Sequence, residues 1–430
     1  MTPEVKDRIE QIRRGNVPDG YKKTKIGIFP QEWDICCLNQ LLEFKNGINA
    51  DKEKFGKGTK LISVRDILSD RPITYSLIQG SVEVNEQQLE EFGVKYGDIV
   101  FQRSSENYED AGTSNVYLDP DNTAVFSGFV IRGKKVAEYN PVYLNALLRA
   151  GYVRKAIVRQ AAGAQHINVG QESLAKVCIA LAKDSEQQQI AEILTVQDKV
   201  IGLKEKQLAE KQRQKKYLMQ QLLTGKKRLP GFDGEWMSVK LNEVLVERKE
   251  KNNEQTHRIC SVAVQKGVID QIEHLGRSYA AADTSNYGVA HYGDIVYTKS
   301  PTGDFPYGIV KQSHMNENVA VSPLYGIYEP VSYELGYILH TYFSYAINCS
   351  NYLMPIIQKG AKNTINITND GFISNRLHLP MELEEQKALA QIFIIADCEL
   401  DLLRKEIEQE KQKKKALMQL LLTGIVRVKV

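Results

Sequence analysis

Two long stretches of this chain carry their apolar residues on a single helical stripe. Between Glu186 and Gly225 the stripe runs Ile190, Leu194, Ile201, Leu208, Leu218 and Leu222; between Glu385 and Gly424 it runs Leu389, Phe393, Leu400, Ile407, Leu417 and Leu421. The steps are mostly three, four or seven residues, the period of one helix face. Lys, Glu and Gln flank the stripe closely, which suits a coiled-coil seam better than the broad face of a globular core. The two stretches align without a gap, and 16 of their 40 residues are identical, the ends reading YLMQQLLTG at Tyr217–Gly225 and ALMQLLLTG at Ala416–Gly424. Each ends on a glycine, the residue that best tolerates a left-handed helix cap. At about 1.5 Å per residue, a 38-residue helix would reach roughly 57 Å. Stripes equal in length and phase are most simply buried against each other, and a domain lying between them in sequence favours an antiparallel pair.

Outside the helices the pattern shortens. Runs such as Asp98 to Phe101, Ala124 to Ile131 and Asp294 to Thr298 read as β-strands between Gly- and Asn-rich turns. Tyr143, Leu144, Leu147 and Leu148 predict a helix after the first set, and Leu335, Ile338, Leu339 and Phe343 one after the second. These regions repeat as well. Tyr96-Gly-Asp-Ile-Val100 recurs as Tyr292-Gly-Asp-Ile-Val296, Glu32-Trp33 with Leu38-Asn39 as Glu235-Trp236 with Leu241-Asn242, and Ile167-Asn168-Val169 as Ile365-Asn366-Ile367. The predicted architecture is α+β: two mixed α/β domains joined by two long helices in an antiparallel coiled coil, with a pseudo-twofold repeat. The expected boundaries are a helical arm at 1–20, a first domain at 21–183, a central helix at 184–225, a second domain at 226–382, a C-terminal helix at 383–424 and a tail at 425–430. The arm could pack beside the second long helix and close the repeat into a circle.

Composition narrows the class. A length of 430 residues with 42% hydrophobic and 25% charged residues is that of an ordinary globular protein of two or more domains. No apolar run approaches a membrane span and the charged N-terminus is unlike a signal peptide, so a cytoplasmic location is expected. The six cysteines and seven histidines show no metal-ligand spacing, and the cysteines read as reduced, mostly buried thiols. Net charge is only +3, yet Lys204–Arg228 holds nine basic and two acidic residues and Arg404–Val430 eight and three. Such runs are either solvated helix faces or help to hold a polyanion.

The doubled helix endings, the Tyr21-Lys-Lys-Thr-Lys-Ile-Gly-Ile-Phe-Pro30 and Thr224-Gly-Lys-Lys-Arg228 segments ahead of each tryptophan, the paired Tyr-Gly-Asp-Ile-Val turns and the Ile-Asn-Val/Ile elements appear in the same order twice. In this the chain resembles the specificity subunit of type I DNA restriction–modification enzymes, over essentially its whole length. The resemblance implies two target-recognition domains, each reading one half of a split DNA site, with the helices as spacer and as docking surface. The implied partners are double-stranded DNA, modification (methyltransferase) subunits, two by the twofold layout, and restriction/translocase subunits. S-adenosylmethionine would belong to the modification subunit, with no cofactor in this chain. Two similar modules on a rigid rod suit DNA segments about a helical turn, roughly 34 Å, apart. Because the modules differ outside the shared framework, the target should have unlike halves.

Base edges are read by Arg, Lys, Asn, Gln, Ser and Thr, and phosphates are held by Lys and Arg. Candidates in the first domain are Lys45, Asn46, Lys52, Lys54, Lys57 and Lys60 in one lysine-rich loop, Gln102, Arg103, Ser104 and Ser105 after the repeated turn, and Gln165 with His166. In the second they are Thr298, Lys299, Ser300 and Thr302 after the turn, and Lys362 with Asn363. An ordinary solvated loop is the alternative for each. Asn168, Asn366, Tyr96 and Tyr292 recur in both halves and fit framework better, since a shared residue is a poor source of differing targets.

Nothing points to catalysis within the chain. Asn140-Pro-Val-Tyr143 lacks the second proline of the N-P-P-Y motif of adenine methyltransferases, and reads as a helix start. Glu385-Gln-Lys387 resembles the end of a nuclease signature but falls on the helix repeat, and no phosphate loop is present. No catalytic, cofactor or metal residue is expected. The competing readings are a self-contained DNA methyltransferase or nuclease, and a coiled-coil scaffold that binds proteins.

Overall fold

The computed structural model describes residues 2–163, 166–359 and 365–428. The chain forms two compact units, Met1–Lys204 with Glu406–Val430, and Glu205–Lys405. Both long helices, Asp184–Leu222 and Leu383–Leu421, contribute a segment to each unit. The fold is α+β, two mixed domains joined by the antiparallel helix pair. An N-terminal helix spans Pro3–Arg13.

The same plan builds both domains. In the first, an antiparallel sheet has the order Leu42–Asn46, Val130–Lys135, Ile99–Gln102, Ser114–Val116. In the second, the order is Leu245–Glu247, Gly326–Pro330, Ile295–Tyr297, Val310–Gln312. A second sheet in each domain contains one parallel pair, Val125–Phe126 on Phe55–Ile62 and Val319–Val321 on Arg258–Ala263. Central strands are buried on both faces, so they read as unbroken β-branched and aromatic runs without alternation. Helices Pro141–Leu148 and Tyr333–Phe343 bury all eight residues that predicted them.

One predicted strand divides. Ala124 to Ile131 does not run continuously: Val125–Phe126 and Val130–Lys135 lie in different sheets, joined by Ser127-Gly128-Phe129. The Val130 amide donates to the Ser127 carbonyl at 2.9 Å, closing a tight turn. An apolar run cannot reveal such a corner, because both strands are equally buried.

The helix seam joins the domain cores at both of its ends. Ile190, Leu194, Leu417 and Leu421 pack into the first domain's core, while Leu218, Leu222, Leu389 and Phe393 pack with Trp236 and Ile338 of the second. Only the middle of the stripe is left to the helices themselves, with Ile201, Leu400 and Ile407 buried and Leu208 half-buried. In the first unit Lys204 pairs with Glu406 at 2.6 Å, Asp198 with Lys414 at 2.5 Å, and Gln197 with Glu410 at 2.7 Å. In the second Lys211 pairs with Glu399 at 2.9 Å and Lys215 with Asp397. Numbers rise on one helix as they fall on the other, so the pairing is antiparallel in each unit. Lys204, Lys211, Lys215 and Lys414 of the two basic runs thus each face a carboxylate of the neighbouring helix. Both helices end before a glycine at φ +67, Gly225 and Gly424. A Cβ at Gly424 would come within 2.4 Å of Pro30, so close packing as well as the turn demands glycine there.

The cysteines depart from the reduced-thiol reading. Strands Asp34–Cys37 and Cys178–Leu181 are antiparallel with Cys37 directly opposite Cys178, and the two sulfurs form a disulfide. Spacing of 141 residues in sequence gives no hint of that register. Cys260 and Cys349 are buried thiols, and Cys398 is exposed.

Candidate nucleic-acid interface

The repeated Tyr-Gly-Asp turn is closed by the same bond in the two domains. Asp98 is buried and accepts from the Lys95 amide at 2.9 Å; Asp294 is buried and accepts from the His291 amide at 2.8 Å. The glycine between them stands at φ +89 and +91, left-handed in each case. Asp98 also accepts from the Lys135 amide at 2.9 Å, and Asp294 is held by Arg248 through bonds of 2.6 and 3.1 Å. Burial nevertheless pushes the Asp98 carboxyl above its ordinary range. The turn thus fixes the start of the central strand and leaves Tyr96 and Tyr292 on the surface. It is framework.

The residues that follow it divide between inside and outside. Gln102 is buried and donates to the Ser104 carbonyl, and Ser105 is buried and accepts from the Asn107 amide. Thr298 is buried too, its hydroxyl accepting from the Ile309 amide at 3.1 Å. Strand pairing turns these three side chains away from solvent, which corrects the expectation that the whole stretches face outward. Arg103 is half-buried and donates to the Gly128 carbonyl at 3.3 Å. Ser104 pairs with Asn168 at 2.5 Å, so the structure brings the post-turn stretch against the segment carrying exposed His166. Asn168 accordingly sits in a strand and caps no helix.

In the second domain Lys299 is half-buried at φ +42, a left-handed conformation unusual for lysine, and burial lowers its pKa. Ser300 and Thr302 are exposed in the loop that follows. Gln165, Lys362 and Asn363 lie outside the described residues.

The lysine-rich loop is more engaged than its composition suggests. Lys45 pairs with Glu91 at 2.6 Å and lies over the Phe92 ring, Lys57 pairs with Glu83 at 2.9 Å, and Lys54 reaches Asp51 at 3.6 Å. Lys52 is exposed, while Asn46 and Lys60 are half-buried on strands. Exposed pairs of this kind contribute little stability.

A type I restriction modification DNA specificity domain is recognised over residues 30–211. A putative type I restriction enzyme MjaX specificity subunit of Methanocaldococcus jannaschii is 26% identical over 436 residues, spanning 96% of this chain and 97% of that one. The fold resembles that of the S subunit of a type I restriction-modification system from M. genitalium, with a TM-score of 0.54 at 12% identity over 90% of this chain and 96% of the other. It also resembles a chain of another solved type I R-M system, with a TM-score of 0.56 at 15% identity over 93% and 99%. The chain thus carries a type I restriction–modification DNA specificity domain and resembles specificity subunits over nearly its whole length.

Each unit is held together by a repeated constellation that the residue patterns did not single out. Trp33 donates its indole N–H to Glu186 at 2.8 Å, and Arg427 clasps the same carboxylate through bonds of 2.7 and 3.0 Å. Trp236 donates to Glu385 at 3.1 Å, and Arg228 clasps it through two bonds of 2.8 Å. In each unit a domain tryptophan, the first turn of one long helix and the residue three past the other helix's final glycine converge. The signal was present: Glu186 and Glu385 open the aligned repeat, and Arg228 and Arg427 stand at matching offsets. The N-terminal arm joins the first of these sites, Arg8 donating to the Ile425 carbonyl at 2.5 Å and Tyr21 to the Gly424 carbonyl at 2.6 Å. Both ends of the chain therefore meet in that unit. Glu385, part of the nuclease-like triplet, is fully committed to this packing. Asn140 caps its helix, accepting from Val142 and Tyr143 amides at 3.0 and 3.1 Å.

Proposed function

We propose that this chain is the sequence-reading subunit of a type I restriction–modification complex, each domain reading one half of a bipartite, asymmetric DNA target. The observation that carries this reading is the duplication of one domain plan with unlike surface residues on a shared framework. Identical frames position two readers; differing loops give them different targets. Catalysis belongs to other subunits, since specificity subunits are the non-catalytic members of such systems. S-adenosylmethionine would be bound by the modification subunit, and restriction/translocase subunits would complete the assembly.

The long helices set the spacing between half-sites and dock the modification subunits. Support for docking comes from a second apolar pattern that faces solvent. Val196 and Leu203 on the first helix, and Ile395 and Leu402 on the second, are exposed, seven residues apart and at matching repeat positions. One such pair per repeat fits two modification subunits. Exposed paired hydrophobics on a helix suit a partner's apolar face. Among the described residues, no helix is long and apolar enough to cross a membrane.

The test is co-expression with the cognate modification subunit, followed by mapping of methylated adenines across the host genome. A single split motif, methylated in both halves, is the expected result. An intact, active complex that leaves DNA unmethylated, or methylates a continuous palindrome, refutes the reading.

A further inference from the structure

The corner that divides the predicted strand Ala124 to Ile131 has a counterpart in the second domain. Arg132 pairs with Val100 and Ile327 pairs with Val296, the last residues of the two Tyr-Gly-Asp-Ile-Val turns. Counting back from this shared register makes Phe129 equivalent to Leu324. The parallel pairs Phe126 with Ile62 and Val321 with Cys260 give the same offset. The hydrogen bond repeats as well, the Tyr325 amide donating to the Ser322 carbonyl at 3.0 Å as Val130 does to Ser127.

At the tip of each corner stands a large apolar side chain in water. Phe129 is 66% exposed and Leu324 68% exposed, although the strands on either side are buried. Folding gains nothing from exposing a phenylalanine at the junction of two sheets. A cation stands beside the first tip, the Arg103 amide donating to the Phe129 carbonyl at 2.9 Å and its guanidinium to Gly128. Lys299 occupies the register position equivalent to Arg103 in the second domain. Phe129 also walls an open groove of about 570 Å³, with exposed Arg65 and Gln79 on its rim. The position is therefore shared while its chemistry differs: phenylalanine, arginine and glutamine in one domain, leucine and lysine in the other.

We infer that these two corners are base-reading tips, Phe129 and Leu324 each touching the apolar edge of a base in the major groove while Arg103 and Lys299 hold the adjoining backbone. An apolar side chain recognises a thymine methyl group, and arginine or glutamine beside it can pair with a purine edge. The positive neighbour matches the phosphates that flank any such contact. This rests on the proposed role of the domains as DNA readers.

The test uses the full complex with modification subunits, wild type against Phe129→Ala, Phe129→Leu and Leu324→Ala, on a library of single-base variants of the methylated motif. Phe129→Ala should lower discrimination about ten-fold at one base pair of one half-site, leaving the other half intact. Leu324→Ala should do the same in the opposite half, and Phe129→Leu should shift the preference at the same base pair as Phe129→Ala. Melting temperature and complex assembly, unchanged in these surface variants, separate reading from folding. Variants that assemble normally and discriminate as wild type at every base overturn the inference, while the wild-type motif still stands for the domains as readers. A wild-type complex with no split motif would instead remove the reading on which the inference rests.

Discussion

At matching positions beneath their shared frame, the two domains make opposite choices. Asn115 and Lys311 occupy the same register, each opposite the valine that ends its Tyr-Gly-Asp-Ile-Val turn. Asn115 is a neutral amide that donates to the carbonyls of Asp66, Ser69 and Arg71. Lys311 is a buried ammonium donating to Ser344, and burial lowers its pKa to about 8. Counting from the helix caps Asn140 and Ser332, Leu148 in the first domain is replaced by His340, which is half-buried and accepts from the Gln312 amide at 3.0 Å. The frame tolerates this because it does not depend on the residues between. The tryptophan, the helix-end carboxylate and the arginine fix each unit; the sheet interior is free to diverge.

The largest effect should come from breaking that frame. Glu186 is 1% exposed and Glu385 3% exposed at the side chain, and each satisfies an indole and a guanidinium. Removing one partner of a buried pair leaves the other without its counterpart, at a cost of about 3–5 kcal/mol. Glu186→Ala and Glu385→Ala should each lower stability by about 3 kcal/mol, read in urea titrations. Hydrogen exchange should place the first loss in the unit holding Trp33 and the second in the unit holding Trp236. A cost under about 1 kcal/mol in either would show that the two frames are unequal.

A medium effect should follow pH. Burial lowers the pKa of His314, and lowers that of His340 well below 6.5, with Lys311, His314 and Lys215 adding to it. Asp397 opposes the shift of His314 from the long helix, and Tyr333 and Tyr337 pack against its ring. Groups whose folded pKa is depressed hold fewer protons folded than unfolded, so stability rises with pH through that window. The histidine contribution is complete above about pH 6.5 and is lost as pH falls below it. Lys311 adds a second slope, stability rising from about pH 8 toward its ordinary value of 10.5. The first unit contains only His166, which is exposed. Between pH 7 and 5 the second unit should therefore lose more stability than the first. Hydrogen exchange corrected for intrinsic rates measures each unit separately, and equal losses would refute the difference. Lys311→Met should raise the second unit's stability at pH 7 and flatten its slope above pH 8.

The helices were legible because their period is long and their copies align. That the seam's ends also join the domain cores was not legible, since Ile190 or Phe393 carries no mark of whether a domain will cover it as well. Strand register was the hidden quantity. It buried Gln102 and Thr298, set Cys37 against Cys178, and turned Phe129 outward, and none of these follows from composition. The Trp–Glu–Arg sites were readable in principle, but only by comparing single polar residues at matched offsets. Individual DNA contacts stayed open because the side chains' direction depends on the turns that carry them.

The smallest effect should come from the helix caps, and it also bears on catalysis. Asn140 accepts from two amides and Ser332 from the Leu335 amide at 3.1 Å, so each satisfies donors that the first helical turn leaves open. Their outer contacts match too: Gln187 accepts from the Asn140 amide and Gln386 from the Ser332 hydroxyl, both at 2.9 Å. Asn140→Ala and Ser332→Ala should each cost about 1 kcal/mol. Adenine methylation by the assembled complex should continue in both variants, at rates within about two-fold of wild type, since a cap touches no reacting atom. Loss of methyl transfer in a folded, assembled Asn140→Ala complex, with Ser332→Ala unaffected, would return Asn140-Pro-Val-Tyr143 to the chemistry. Equal, small losses of stability with activity kept would make the two positions what their hydrogen bonds already describe, one cap written with two different residues.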